Sequence, residues 1–124
     1  MKFNTLKEAV QFRINESEEN YWIEDYWKAA VKMFSKNVSD TISFIQNDCD
    51  YEEFYWLSEI FEEIAEQTQS KELIAALRTR LAAVVPENYR QQEFKTEHMR
   101  KWVDYAEYVQ SVNQEIDFAE SKIK

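Results

Sequence analysis

Residues Asp50 to Gln69, DYEEFYWLSEIFEEIAEQTQ, carry both the clearest helical periodicity and the charge imbalance of the chain. With successive residues turned by about 100°, Phe54, Leu57, Phe61, Ile64, Ala65 and Thr68 fall on one side of a single helix, with Ile60 at its margin. That side predicts a core-facing stripe. Glu52, Glu59, Glu62, Glu63 and Glu66 gather on the other side, and Tyr55 and Trp56 lie among them. The spacing therefore places two large aromatic side chains inside an acidic face and predicts that at least one of them is exposed.

Working outward from this helix, Asp50 and Glu53 form a capping-box pair at its start, where their negative charge also suits the positive end of the helix dipole. Ser70 caps the following helix, which runs to about Val84 with Leu73, Ile74, Leu77, Leu81 and Val84 as its buried seam and Val85-Pro86 as its stop. Pro86 suits the first position of a short helix from Glu87 to Glu93. Periodicity weakens around ENYRQQEFKTEH and resumes through Met99, Trp102, Val103, Ala106, Val109, Asn113 and Ile116. Either one long helix or two with a bend would satisfy this; the favoured reading is that short helix followed by a long terminal one over about Thr96 to Ser121.

Upstream, Thr5 and Glu8 repeat the capping-box pattern before a helix from Leu6 to Asn15. Ser17 is the expected cap of a helix from Glu18 to Lys36. This helix holds Tyr21, Trp22, Ile23, Tyr26, Trp27, Ala30, Val31, Met33 and Phe34, too much apolar surface for one narrow stripe, so contacts on two sides are expected. Ser39 or Asp40 should cap a short helix over Thr41 to Asn47. The expected fold is all-α: one domain over residues 1–124, a compact bundle of about five to six helices with a long C-terminal helix.

Composition agrees with that reading. A chain of 124 residues buries roughly two thirds of the surface it exposes when unfolded, and needs neither metal nor disulfide to do so. The absence of Gly leaves tight hairpin turns and phosphate-cradling loops without their usual residue. The one cysteine, Cys49, cannot form an intrachain disulfide, which suits a cytoplasmic location. MKFNTLKEAVQF lacks a signal-peptide core, and no apolar run suggests a membrane span.

The net charge of −9 opposes nucleic acid and anionic membrane surfaces as partners. Its distribution is uneven. Residues 1–36 hold six bases and six acids, residues 71–124 nine of each, while residues 37–70 hold nine acids and no base. Carboxylates steer a basic partner, and Tyr and Trp are frequent anchors at interfaces. The expected partner-binding set is therefore Asp48, Asp50, Glu52, Tyr55, Trp56, Glu59, Glu62, Glu63 and Glu66. If a neighbouring helix instead covers both aromatics, some of these acids become buried and their partners must come from the two neutral segments.

Catalytic readings fare poorly. Counted from Asp48, the acids Asp48, Asp50, Glu52 and Glu59 fall at calcium-loop positions, but Glu53 occupies the sixth position, where the turn needs Gly. A carboxylate-bridged metal pair needs Glu-x-x-His on two helices, and the only histidine, His98, follows Lys95 at that spacing. Nothing local activates Cys49 or His98 as a nucleophilic pair. Adjacent glutamates such as Glu59 and Glu63 on an exposed helix lack the contrasting environments that divide acid and base roles. The expectation is a protein with no cofactor, no metal and no enzymatic activity.

EEFYWLSEIFEEIAEQTQSKELIAALRTRL, Glu52 to Leu81, and within it FYWLSEIFEEI followed by TQSKE, resembles small acidic, all-helical immunity proteins of bacterial contact-dependent growth inhibition and related polymorphic toxin systems. The resemblance covers about a quarter of the chain. It implies a protein that binds and occludes a cognate toxin domain in the cytoplasm of the cell that makes both. Toxin domains of this kind are often nucleases with basic substrate grooves, which an acidic face would complement. The competing expectation is a helical adaptor or a homodimer joined through the long C-terminal helix.

Overall fold

Short polar side chains at the helix starts divide the chain. The computed structural model describes residues 1–124 and contains α1 (Leu6–Asn15), α2 (Ile23–Lys36), α3 (Val38–Ser43), α4 (Tyr51–Leu57), α5 (Phe61–Thr68), α6 (Lys71–Ala82), α7 (Pro86–Arg90), α8 (Glu97–Trp102) and α9 (Tyr105–Ser121), with no strand. Thr5, Asn37, Asp50, Ser70, Thr96 and Asp104 each accept the backbone N–H three residues on, satisfying a donor that the first helical turn leaves free. Only Asp50 completes the reciprocal box, with the Glu53 carboxylate accepting the Asp50 N–H at 2.9 Å.

The all-α expectation holds, but the chain is cut more finely than the periodicity predicts. Asp50 to Gln69 is not one straight helix. Ser58 donates its hydroxyl to the Tyr55 carbonyl, and residues Ser58–Ile60 tighten into a 3₁₀ turn between α4 and α5. Three residues at 120° instead of 100° rotate α5 by about 60° relative to a continuous helix. Ile60, placed at the margin of the apolar stripe by the straight wheel, is accordingly buried.

Three other boundaries move. The second helix begins at Ile23 rather than Glu18, with Trp22 at its cap position making no side-chain cap. The third begins at Val38 under Asn37 and unwinds into a π-helical turn over Phe44–Asp48. The terminal helix is split at Val103 and Asp104, because the Asp104 carboxylate accepts the Glu107 N–H at 2.8 Å and starts α9 afresh.

The core is organised around α9, which packs against α5 and α6 and touches α7 and the 3₁₀ turn. Tyr108, Val112, Ile116 and Ala119 on α9 are fully buried, and burial of an aliphatic or aromatic side chain contributes about 1.5–3 kcal/mol. The helix α1 packs on α2 and α4, and α2 packs on α5. Without glycine, the turn after α5 falls to Gln69, whose backbone adopts φ 50°. Its side-chain amide donates to the Lys122 carbonyl at 2.8 Å and accepts the Lys124 N–H at 2.8 Å, tying the C-terminus down.

Candidate functional site

The glutamates of the acidic segment part company according to the donors that reach them. Glu52 is only 6% exposed. It accepts the Lys95 N–H at 2.7 Å, the Thr96 N–H at 3.0 Å and the Thr96 hydroxyl at 2.6 Å, so its carboxylate is turned inward to organise the start of α8 rather than outward on the acidic face. Glu53 is fully buried and takes Lys7 Nζ at 2.8 Å and Gln11 Nε2 at 2.7 Å. That bond to the carboxylate is the chief reason the Lys7 ammonium holds its proton more tightly than usual.

Asp48 and Asp50 are exposed but sit at the opposite end of α4 from the aromatics. The Asp48 carbonyl accepts from Lys7 at 3.1 Å, and Arg80 reaches the intervening Cys49 carbonyl at 3.1 Å. They do not extend the same surface as Glu62 and Glu63. The four acids that matched a calcium loop also diverge, since Glu52 turns to Thr96 and Glu59 to Arg13.

Tyr55 and Trp56 are both half-buried, which corrects the expectation that one stands exposed. The reason lies in α1 and α8. The Tyr55 hydroxyl lies 3.1 Å from His98 Nε2, and the His98 ring is 5.6 Å from the Trp56 ring. From the other side the Arg13 guanidinium lies 4.5 Å from the centre of the Trp56 ring and 5.7 Å from that of Trp22. Arg13 is 8% exposed and grips Glu59 with both ends of its fork, Nε at 2.6 Å and Nη2 at 3.2 Å. Arg13 Nη1 and the indole nitrogens of Trp22 and Trp56 are buried with no acceptor, so cation–π attraction and the Glu59 pair hold this stack.

Past Glu59 the acids stay at the surface. Glu62 and Glu66 approach Lys122 at 3.4 and 3.8 Å, while Glu63 is exposed and unpaired. Two helices, α8 and α9, contribute residues that the wheel of Asp50 to Gln69 alone does not contain. His98 and the 70%-exposed Trp102 are one turn apart on α8, and Glu107, Ser111 and Glu115 form a stripe at i, i+4 and i+8 along α9. Glu115 holds its proton more readily than an ordinary glutamate, first because it is partly desolvated and then because Glu62, Glu63 and Glu59 crowd it with like charge. Tyr55 is likewise harder to ionise, chiefly through burial, with Glu107, Glu59 and Glu115 adding to the effect.

The result is an aromatic patch of Tyr55, Trp56, His98 and Trp102 bordered by carboxylates from α5 and α9. Glu63, Glu107 and Glu115 have no ion-pair partner in the chain. The α9 stripe was visible as a spacing, but only the α5–α9 packing aligns it with Glu62 and Glu63. The chemistry of this face is attraction of positive charge and stacking. Cys49 lies elsewhere, buried, with its thiol pushed up to about 11 by desolvation. No group of three or more His, Cys, Asp and Glu side chains is arranged to hold a metal ion. No helix is long and apolar enough to cross a membrane. No protein-family model, curated protein or solved structure matches the chain.

Proposed function

We propose that this chain is a stoichiometric protein inhibitor of the immunity class, which binds the basic surface of a cognate toxin domain through the face built by α4, α5, α8 and α9. The observation that carries this reading is charge left without counter-charge around aromatic anchors. Some of the chain's acids are met by its own cations, as Glu53 is by Lys7, Glu59 by Arg13, and Asp117 and Glu120 by Arg78. At this face Glu115 is crowded by Glu62 and Glu63 instead. Such an arrangement disfavours the free protein locally and is relieved by a partner that brings lysines or arginines. Trp102 and His98 supply contact area beside the acids, as interface anchors do. The resemblance of Glu52 to Leu81 to immunity proteins supplies the class of partner.

Growth rescue tests the proposal. The coding region beside this one in its genome is expressed alone and together with the chain. Growth arrest by the neighbour and rescue by the wild-type chain are expected. The double variant Glu62→Lys and Glu115→Lys should fold and fail to rescue. Glu59 is unsuitable for this purpose, because its loss strands the buried Arg13. A neighbour without toxicity refutes the toxin reading, and full rescue by the double variant removes the acidic face from the mechanism.

A further inference from the structure

The surface between α2 and α5 holds a groove of about 1050 Å³. Its origin is legible in α2. The core-facing side of this helix is Tyr26, Ala30 and Phe34, all buried. A second apolar strip, Trp27 and Val31, turns into the groove and meets Ile60 at its floor. Trp27 is 38% exposed and stands outside the core cluster. Packed against α1 and α5, α2 still leaves the Trp27 side partly open to solvent.

The walls of this groove carry opposite charge. Lys28, Lys32 and Lys36 recur every fourth residue along the α2 wall, and Glu63 and Glu66 stand on the α5 wall. None of the three lysines comes within 4.0 Å of a carboxylate, so the walls do not neutralise each other. Glu24 alone interrupts the basic wall, at its outer end. The Ser35 hydroxyl, which lines the groove, is buried without a hydrogen-bond partner.

We infer that this groove docks an amphipathic helix of a partner protein, with an apolar seam on Trp27, Val31 and Ile60, acidic residues along the flank facing the lysines and basic residues along the flank facing Glu63 and Glu66. A helix fits because the apolar strip and the lysine rail repeat at helical spacing, and Trp27 to Lys36 spans about 14 Å, the length of a helix of about ten residues. The two rails also fix direction. Reversing the occupant end for end exchanges its flanks, setting acids against Glu63 and Glu66 and bases against the lysines, which is repulsive on both sides. The groove shares Glu63 with the acidic aromatic face, but Trp27, Val31 and the lysines of α2 belong to the groove alone, so substitutions on α2 test it independently.

The probe is a fluorescently labelled, side-chain-stapled helix of about twelve residues, a length chosen because an unstapled one is too short to hold its helix in water. It carries a leucine seam, glutamates on the flank that meets α2 and lysines on the other. Binding to the full chain is read by anisotropy and located by the NMR shift of the Trp27 indole N–H. The expected result is at least tenfold tighter binding than that of the same helix with its two charged flanks exchanged. Trp27→Ala should lower affinity at least tenfold with an unchanged melting temperature. Lys28→Glu with Lys32→Glu should transfer the preference to a helix with lysines on both flanks. No binding by the folded protein, equal binding of both probes, or shifts remote from Trp27 overturn the inference. A sedimentation dimer of the free chain that protects the Trp27 indole overturns it in favour of a second copy of this chain.

Discussion

Glu52 and Glu53 at one end of the acidic segment, and Glu62 and Glu63 at the other, are identical pairs of residues ten positions apart with opposite fates. The first pair is buried and accepts six hydrogen bonds, from Lys95, Thr96, Lys7, Gln11 and Asp50. Glu63 is exposed and unpaired, and Glu62 has only a loose contact with Lys122. Position in the helix does not separate them, since both are Glu-Glu pairs in a first turn, and the Asp50 capping box accounts for only one of the six bonds. What separates them is delivery of donors by α1 and the start of α8 to one end and of further carboxylates by α9 to the other. Negative charge near the middle of this chain is thus structural at one end and unspent at the other.

The comparison breaks most severely at Glu52. Glu52→Ala leaves two backbone N–H groups and a hydroxyl without their acceptor in a buried site, and should cost about 3 kcal/mol in chemical denaturation. Loss of protection at the Lys95 and Thr96 amides should accompany it; a cost below about 1 kcal/mol would show that water replaces the carboxylate. Arg13→Ala comes next, at about 2–3 kcal/mol, because it strands Glu59 and empties the space between Trp22 and Trp56. Adding Glu59→Gln should restore part of that loss, and additive losses would exclude coupling between the two side chains.

At the other end the sign reverses. Glu115→Gln should stabilise the fold at neutral pH by a few tenths of a kcal/mol, about the size of a favourable surface substitution. The folded-state pKa of Glu115 is raised, so its contribution to stability is fullest below the unfolded value of 4.5 and is lost as pH rises through the folded value. The gain from glutamine should therefore be present at neutral pH and fade on acidification, as thermal melts across this range will show. The smallest effect is expected for Glu62→Lys. It should change stability by no more than about 0.5 kcal/mol, since its contact with Lys122 at 3.4 Å is a surface pair. A large loss there would mean that both ends of the segment serve the fold.

Legibility in the sequence follows the range of the interaction. The limits of α1 are as the spacing of Leu6, Ala9, Val10 and Ile14 predicts, because a cap and an apolar stripe lie within one short stretch. The Ser70 cap and the buried Leu73, Ile74 and Leu77 of α6 were equally plain. The break at Asp104 was written in Asp104-x-x-Glu107, a capping pattern hidden inside a continuous apolar periodicity. The 3₁₀ turn at Ser58 was less readable, since a serine in mid-helix often leaves the ladder intact, yet Phe61, Ile64 and Ala65 beyond it are buried as the straight wheel predicts. Of the expected partner-binding residues, Glu62 and Glu63 remain on the candidate face, with Tyr55 and Trp56 half-buried within it. Glu66 lines the groove toward α2, Glu59 serves Arg13, Glu52 is internal, and Asp48 and Asp50 lie apart.

Sequence by itself determined that the chain is helical, where several helices start, which residues form the apolar seams of α1, α4, α5 and α6, and that all the excess negative charge lies between residues 37 and 70. These follow from backbone geometry and from neighbours three or four residues away. The seam of α9 is Tyr108, Val112, Ile116 and Ala119, while Trp102 and Ala106 of the expected seam are exposed. Only tertiary structure decided which of those acids would be neutralised, because the deciding donors, Lys7, Arg13 and Thr96, are more than 40 residues distant along the chain. A carboxylate becomes structural when a donor is held against it out of water, and that meeting is a property of the packed bundle. The same packing set Glu115 beside Glu62 and Glu63 and left α2 with an apolar side facing an open groove.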